Sequence, residues 1–465
     1  AGAAGEAPLP ESCEVASVGG GWAGVYFAWR MAAAGRGVCL FEASQRIGGR
    51  TYSHRLQAGS PPEQYTLDVG AYRFSPDMHL PGDVILRVLK LPVACYEPSC
   101  APAYEDFPPP FKFNYSAPLV RIVDGDGQPA GYVSAIEGLV TRIEALGGKI
   151  FRGAALTDPS AVAVVAGQVL LNLPRPALLG LPTLRAQTPA RTVKAQECIK
   201  FDVPTSFIPP GKLKLGRSLT KAYAFYEEAW WHTRLNQTEG QFPENAFEPM
   251  NTSQGIPIGI HFNDGPVRCD APLKGCRGFL EVFYSTVDET FFEDLQPSAR
   301  QPLGVLTKEA DKSGRLNKLH AALMEAIEPL FEKRGAAKPP APPSMLVVGV
   351  WHRAAKDHQV YYSADPSVPG GPDPLDRACG LPGLTEDEYR QSVLAPVGSK
   401  RVLVANNDWV AQTTETFFGD WAEESLLQAE RGLRLLGVPR PEWLDAAYYQ
   451  AKVASFAPAN SDVAL

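Results

Sequence analysis

Two groups of residues in this chain have the type and spacing to do chemistry. The first is a glycine set. Gly19, Gly21 and Gly24 form G-x-G-x-x-G between an apolar run, Val15-Ala16-Ser17-Val18, and a helical segment, Trp22 to Ala34. Gly19 permits a tight turn, Gly21 lets backbone approach a pyrophosphate, and Gly24 lets helix and strand pack closely. The helix N-terminus adds unpaired N–H groups and partial positive charge for phosphate. Glu42, 23 residues after Gly19, ends the next strand and is placed to accept from a ribose hydroxyl. Arg46-Ile47-Gly48-Gly49-Arg50 follows, with two adjacent glycines for close backbone contact and two arginines for phosphate charge. The second is Lys221, in the run SLTKAYAFYEEAWW. A lysine buried in a strand is costly unless it is paired or its pKa falls, so it invites a role. The alternative is a lysine on the exposed face of the strand.

These residues need elements to position them. Val15–Val18, the helical segment and Val38–Phe41 read as a β-α-β unit, with Gly35 and Gly37 where the helix should stop. Ser134 to Gly147 has Ile136, Leu139, Val140, Ile143 and Leu146 at helical spacing, and Lys149-Ile150-Phe151 resumes a strand. Further strands are expected in Val162–Leu173, around Lys221, at Pro257–Asp264, Gly278–Ser285, Met345–Trp351 and Arg401–Ala405. Leu316 to Phe331 reads as one helix, and Gly419 opens another that runs to Leu436. His261 reads as a satisfied structural histidine. The stretch from Leu80 to about Pro129, rich in proline and aromatic residues, shows no chemistry.

Composition narrows the class. At 465 residues the chain is long enough for two or three structural units. With 45% hydrophobic and 20% charged residues it is an ordinary globular chain, and a net charge of −7 gives no reason to expect nucleic acid. No apolar run reaches the roughly 20 residues that span a bilayer. A small-residue start at Ala1 is consistent with a processed mature protein. Eight cysteines include Cys95/Cys100 and Cys269/Cys276, each close enough to pair, and neither spacing is a metal signature. With three N-x-S/T sequons, this leans towards an extracytosolic location (secreted or organelle lumen).

The glycine fingerprint continued by R-x-G-G-R resembles the flavin amine oxidase family. Tyr65 to Pro76, YTLDVGAYRFSP, resembles the family's flavin-contacting turn at Gly70 and Ala71, followed by the G-x-x-R run of L-amino acid oxidases. The resemblance implies that Arg73 pairs with a substrate carboxylate, a task suited to arginine's planar fork; the alternative is a structural acid partner. Lys221 matches the family lysine that holds a water beside the flavin. Asp408, Trp421 and Ala422 fall in the C-terminal flavin motif, where a helix N-terminus faces the cofactor and Trp421 flanks substrate and flavin. Cofactor-binding residues implied are thus Gly19, Gly21, Gly24, Glu42, Arg46, Gly49, Arg50, Gly70, Ala71, Asp408, Trp421 and Ala422. The covalent cysteine of monoamine oxidases has no counterpart, so the FAD should be non-covalent. Where the resemblance implies a substrate-contacting tyrosine, the nearest residues are His261 and Phe262, and Phe262 in that place would lack the hydroxyl contact. Asp420 and Glu424 replace usual glycines and put two extra charges near the cofactor.

The resemblance implies an α/β fold: a Rossmann-like FAD-binding domain from segments 13–90, 131–185 and 391–445, a mixed-sheet substrate domain from 91–130 and 186–390, and a tail, 446–465. The leading expectation is oxidative deamination of an L-amino acid with O2, giving 2-oxo acid, ammonia and hydrogen peroxide, with Arg73, Lys221 and Trp421 in the site. An amine or polyamine oxidase is the runner-up. A flavoprotein-like subunit with an assembly role is the third, motivated by Asp420 and Glu424. A homodimer or a larger assembly is compatible with each.

Overall fold

The first strand, Cys13–Val18, runs down the middle of a five-stranded parallel sheet in a computed structural model. That structure describes residues 13–76, 78–96, 119–155, 166–174, 177–178, 181–193, 219–285, 289–298, 301–339, 341–351, 381–383, 393–397, 401–407 and 422–456. Across the sheet the order is Val402–Val404, Ala166–Leu171, Cys13–Val18, Val38–Glu42 and Lys149–Arg152. The helix Trp22–Ala33 crosses from the first strand to the next, as the β-α-β pattern predicts. It packs between the helices Val133–Ala145 and Ala422–Leu435 and is apolar nearly all round, which is why its sequence lacks a polar stripe. Its one charge, Arg30, is buried with Glu430 of the C-terminal helix as an ion pair that also engages the Tyr26 hydroxyl. A disulfide, Cys13–Cys39, ties the first strand to the second. Sequence spacing offered no reason to pair these two; adjacency in a parallel sheet did.

The second half is built on a seven-stranded antiparallel sheet. Its path is Gln241–Phe242, Ile260–His261, Arg277–Ser285, Leu219–Tyr226, Met345–Trp351 and Leu303–Thr307, with Val267–Arg268 also pairing on Arg277–Ser285. The central strand Leu219–Tyr226 is buried at every position, because both faces are covered. Ala222, Ala224 and Tyr226 pack towards the helix Arg315–Ala326, while Tyr223 and Phe225 pack on the hairpin Ser53–Ala58/Glu63–Asp68. Period-two alternation puts Lys221 on that second face, towards the first half. The helix expected over 316–331 is two helices, Arg315–Ala326 and Glu328–Arg334. Pro329, at the start of the second, cannot donate into a continuing helix. Among the described residues no helix is long and apolar enough to cross a membrane.

Candidate active site

The glycine turn has the shape its sequence predicts. Gly19 has φ +101°, a backbone region that L side chains rarely enter, and a Cβ there would overlap the Asn172 carbonyl. A Cβ on Gly24 would overlap the Gly19 carbonyl, so helix and strand meet at backbone distance. Gly21 caps the helix in extended conformation, with no side-chain cap and no acid in the first turn. Its Cα would lie 3.2 Å from a Cβ on Gly49, so the two loops face each other through bare backbone. Glu42 accepts from Gly20 N–H at 2.7 Å and Ser44 N–H at 2.8 Å. Both of its oxygens keep a lone pair for a hydroxyl. An uncapped helix end, a glycine-walled approach and a placed acid fit the pyrophosphate and ribose of a dinucleotide.

The rest of the expected cofactor set is unequally placed. Arg46 donates to the Gly49 carbonyl at 2.6 Å and the Thr51 carbonyl at 3.1 Å, under the Tyr52 ring at 4.3 Å. It shapes the double-glycine loop. Arg50 reaches 2.6 Å to Asn407 Oδ1, linking this loop to the end of the Val402–Val404 strand. Gly70 N–H donates to the Tyr52 carbonyl at 3.2 Å and Ala71 N–H to the Arg50 carbonyl at 3.1 Å. Ala422 is the first residue of the C-terminal helix. Asp408, Trp421 and Asp420 lie outside the described residues. Glu424 is buried: Gln428 donates to it at 2.9 Å and Arg431 stands 3.8 Å away.

Lys221 and Arg73 come together. Lys221 is fully buried, so the exposed-face alternative fails. Its Nζ donates to the Asp68 carbonyl at 3.3 Å and sits 3.5 Å from the centre of the Tyr72 ring and 4.8 Å from that of Tyr284. Arg73 lies 4.6 Å from the Tyr72 ring and 4.5 Å from the Tyr96 ring, and its Nε has no hydrogen-bond partner. One tyrosine thus carries two cations, an arrangement the negative face of the ring favours. Burial pulls the Lys221 ammonium below the usual lysine range, against the carboxylates of Glu281, Asp264 and Asp68. Arg73 is held above its ordinary value: burial opposes the charge, but the surrounding tyrosines and Asp264 outweigh it. Burial pushes Asp68 up to about 6.

Several site residues carried no sequence signal. Tyr223, two positions after Lys221 on the same face, donates to the same Asp68 carbonyl at 3.1 Å. Across the sheet Tyr223 faces Glu281, and Glu281 faces His261. A bulge between Glu281 and Phe283 shifts the register by one, so Tyr284 rather than Phe283 stands opposite Lys221. Asp264 joins from the following turn, 3.8 Å from His261 Nδ1. A cavity of about 20 Å³, room for one water, opens among Asp68, Tyr72, Tyr96, Tyr223 and Asp264. His261 is not the satisfied histidine expected, because its Nε2 is buried without a partner. Phe262 points into the apolar core of the second half. Of the cysteine pairs expected, Cys269–Cys276 is a disulfide; Cys95 is also disulfide-bonded, and Cys100 lies outside the described residues.

Comparisons with known proteins agree with this architecture. Residues 18–81 match the family model of the NAD(P)-binding Rossmann-like domain. Wild-type putrescine oxidase bound to putrescine is similar over 92% of this chain and 99% of its own, at 14% identity and a TM-score of 0.50. A triple mutant of that enzyme gives 15% identity over the same shares, with a TM-score of 0.51. The chain shares its fold with a two-domain flavin amine oxidase. Comparison with curated proteins gives no match.

Proposed function

We propose that this chain is an FAD-dependent oxidase of L-amino acids. The observation that carries the reading is Arg73: a half-buried guanidinium over two tyrosine rings, with a buried, unpartnered Nε, that shares the Tyr72 ring with Lys221. A buried donor without an acceptor is costly, and an anionic ligand relieves it. A substrate carboxylate is a two-point acceptor of the right charge. Gly19, Gly21, Gly24, Gly49 and Glu42 would hold the cofactor, which supplies a two-electron acceptor when bound. Arg73 would fix the carboxylate and so orient Cα. Lys221 would hold a water through Nζ, next to the water-sized space bounded by Asp68 and Tyr72. Overall, the amino acid, O2 and water give 2-oxo acid, ammonia and hydrogen peroxide. The Cys13–Cys39 and Cys269–Cys276 disulfides support an oxidising compartment outside the cytosol.

A second reading, an amine or polyamine oxidase, is favoured by Asp264, which lines the cavity, and by the buried Glu281 opposite Tyr223, two carboxyls that suit an ammonium. The substrate named for the fold neighbour, putrescine, points the same way. Anaerobic mixing of the flavoprotein with pooled L-amino acids, then with diamines, separates the two. Bleaching of the visible flavin band by the L pool alone upholds the proposal. Bleaching by diamines alone replaces it with the second reading. A flavin that neither reduces sinks both.

A further inference from the structure

His261, Asp264 and Glu281 come from two neighbouring strands and the turn between them, and nothing in the proposed reaction uses them. One ligand atom from each lies within 4.8 Å of the other two. Glu281 is fully buried, and the Asp264 side chain is 2% exposed. Neither oxygen of either carboxylate has a hydrogen bond of normal geometry, and His261 Nε2 has none. The Tyr96 and Tyr223 hydroxyls stand near enough to feel the two carboxylates, without bonding them in that geometry. The Asp264 and Glu281 carboxyls are close enough to share a proton with each other; beyond that the buried set, His261 Nε2 included, has no donor in normal geometry, and buried polar atoms are almost always partnered. The two cations nearby do not complete it. Lys221 spends its contact on the Asp68 carbonyl and the Tyr72 ring, and Arg73 on Tyr72 and Tyr96.

We infer that His261, Asp264 and Glu281 bind one divalent transition-metal ion. One imidazole and two carboxylates form a borderline-hard donor set, suited to Zn2+ or Mn2+ and less to Ca2+ or Mg2+, which favour all-oxygen shells. Tetrahedral ligand bonds of about 2.1 Å put donor atoms about 3.4 Å apart, so atoms lying within 4.8 Å of one another need to close by no more than about 1.4 Å, within the reach of side-chain rotation. The sheet holds two of the three ligands in register, His261 opposite Glu281. The ion would sit at the Tyr223–Asp264 edge of the cavity and fix that wall of the site.

The test uses the flavin-loaded protein, stripped with EDTA, dialysed, and titrated with MnCl2 or ZnCl2 alone. Free Mn2+ is followed by electron paramagnetic resonance and stability by Tm. Wild type should bind one ion per chain and gain Tm. Glu281→Gln, which keeps shape but loses charge, should weaken binding by about 100-fold or more and abolish the Tm gain. Should Glu281→Gln fail to fold, His261→Gln, at the edge of the cluster, provides the same comparison. Wild type that takes up no ion overturns the inference, as do variants that bind like wild type. A Tm gain with methylammonium chloride but with neither metal also overturns it, and assigns the pair to an amine.

Discussion

The two halves of this molecule build their sites from different materials. The parallel half makes its cradle from backbone: glycines without side chains, an uncapped helix end, and one acid anchored by two amides. The antiparallel half makes its site from side chains that arrive from separate strands, Lys221 and Tyr223 from one, Glu281 and Tyr284 from the next, His261 from a third. A backbone site tolerates no added atoms but needs little charge. A side-chain site tolerates volume better, yet depends on every buried charge having a partner. Mutations should therefore fail differently on the two sides.

The largest effect is expected at the cradle. Gly24→Val places its side chain on the Gly19 carbonyl, and the purified protein should carry no visible flavin absorbance; a variant that retains stoichiometric flavin would contradict a backbone-built site. Next comes the charge buried beneath that cradle. Glu430→Gln leaves Arg30 without its counter-ion and should lower unfolding free energy by about 3–5 kcal/mol in urea, whereas replacing both residues with apolar ones should cost much less. In the side-chain half, Arg73→Ala should raise KM for an L-amino acid by on the order of 100-fold with kcat less affected, the signature of a lost ground-state partner. Unchanged kinetics would remove Arg73 from the site.

The smallest effect is a pH dependence. Burial raises Glu423 to about 7, although Tyr448 and the Leu80 N–H donate to it. An acid whose pKa is higher folded than unfolded binds more protons in the native state. Its contribution is therefore greatest at low pH and is lost as pH rises from about 4.5 to 7. The loss should be about 2 kcal/mol, below the full value of the shift because the residue keeps some exposure. Glu423→Gln should flatten the stability profile over that window. An unchanged slope would place the titration elsewhere.

The same contrast explains what the sequence made legible. A site made of consecutive backbone is written in consecutive letters, so Gly19, Gly21, Gly24 and Glu42 were readable with their purposes. Lys221 was readable because a lysine in an apolar strand conflicts with its surroundings. Asp264, Glu281 and Tyr284 were not, since each is an ordinary residue until the register sets its neighbours. The bulge after Glu281 leaves no mark in composition, yet it decides that a phenol rather than a phenyl ring faces Lys221. The Cys13–Cys39 bridge was hidden for a related reason: its partners are adjacent only after the sheet has formed.

The carbonyls of Asp68 and Val69 occupy one spot where the halves meet. Lys221 and Tyr223 donate to the first, Trp351 Nε1 donates to the second at 2.7 Å, and Gly349 has no side chain because Val69 fills that space. The turn they belong to continues into Gly70 and Ala71, which hydrogen-bond Tyr52 and Arg50 at the end of the double-glycine loop, the proposed cofactor site. Anyone redesigning this protein inherits that joint. A change that loosens the grip on the cofactor will also swing the lysine, and a change that re-aims the lysine will be felt at the cofactor, so the two properties will have to be engineered as one.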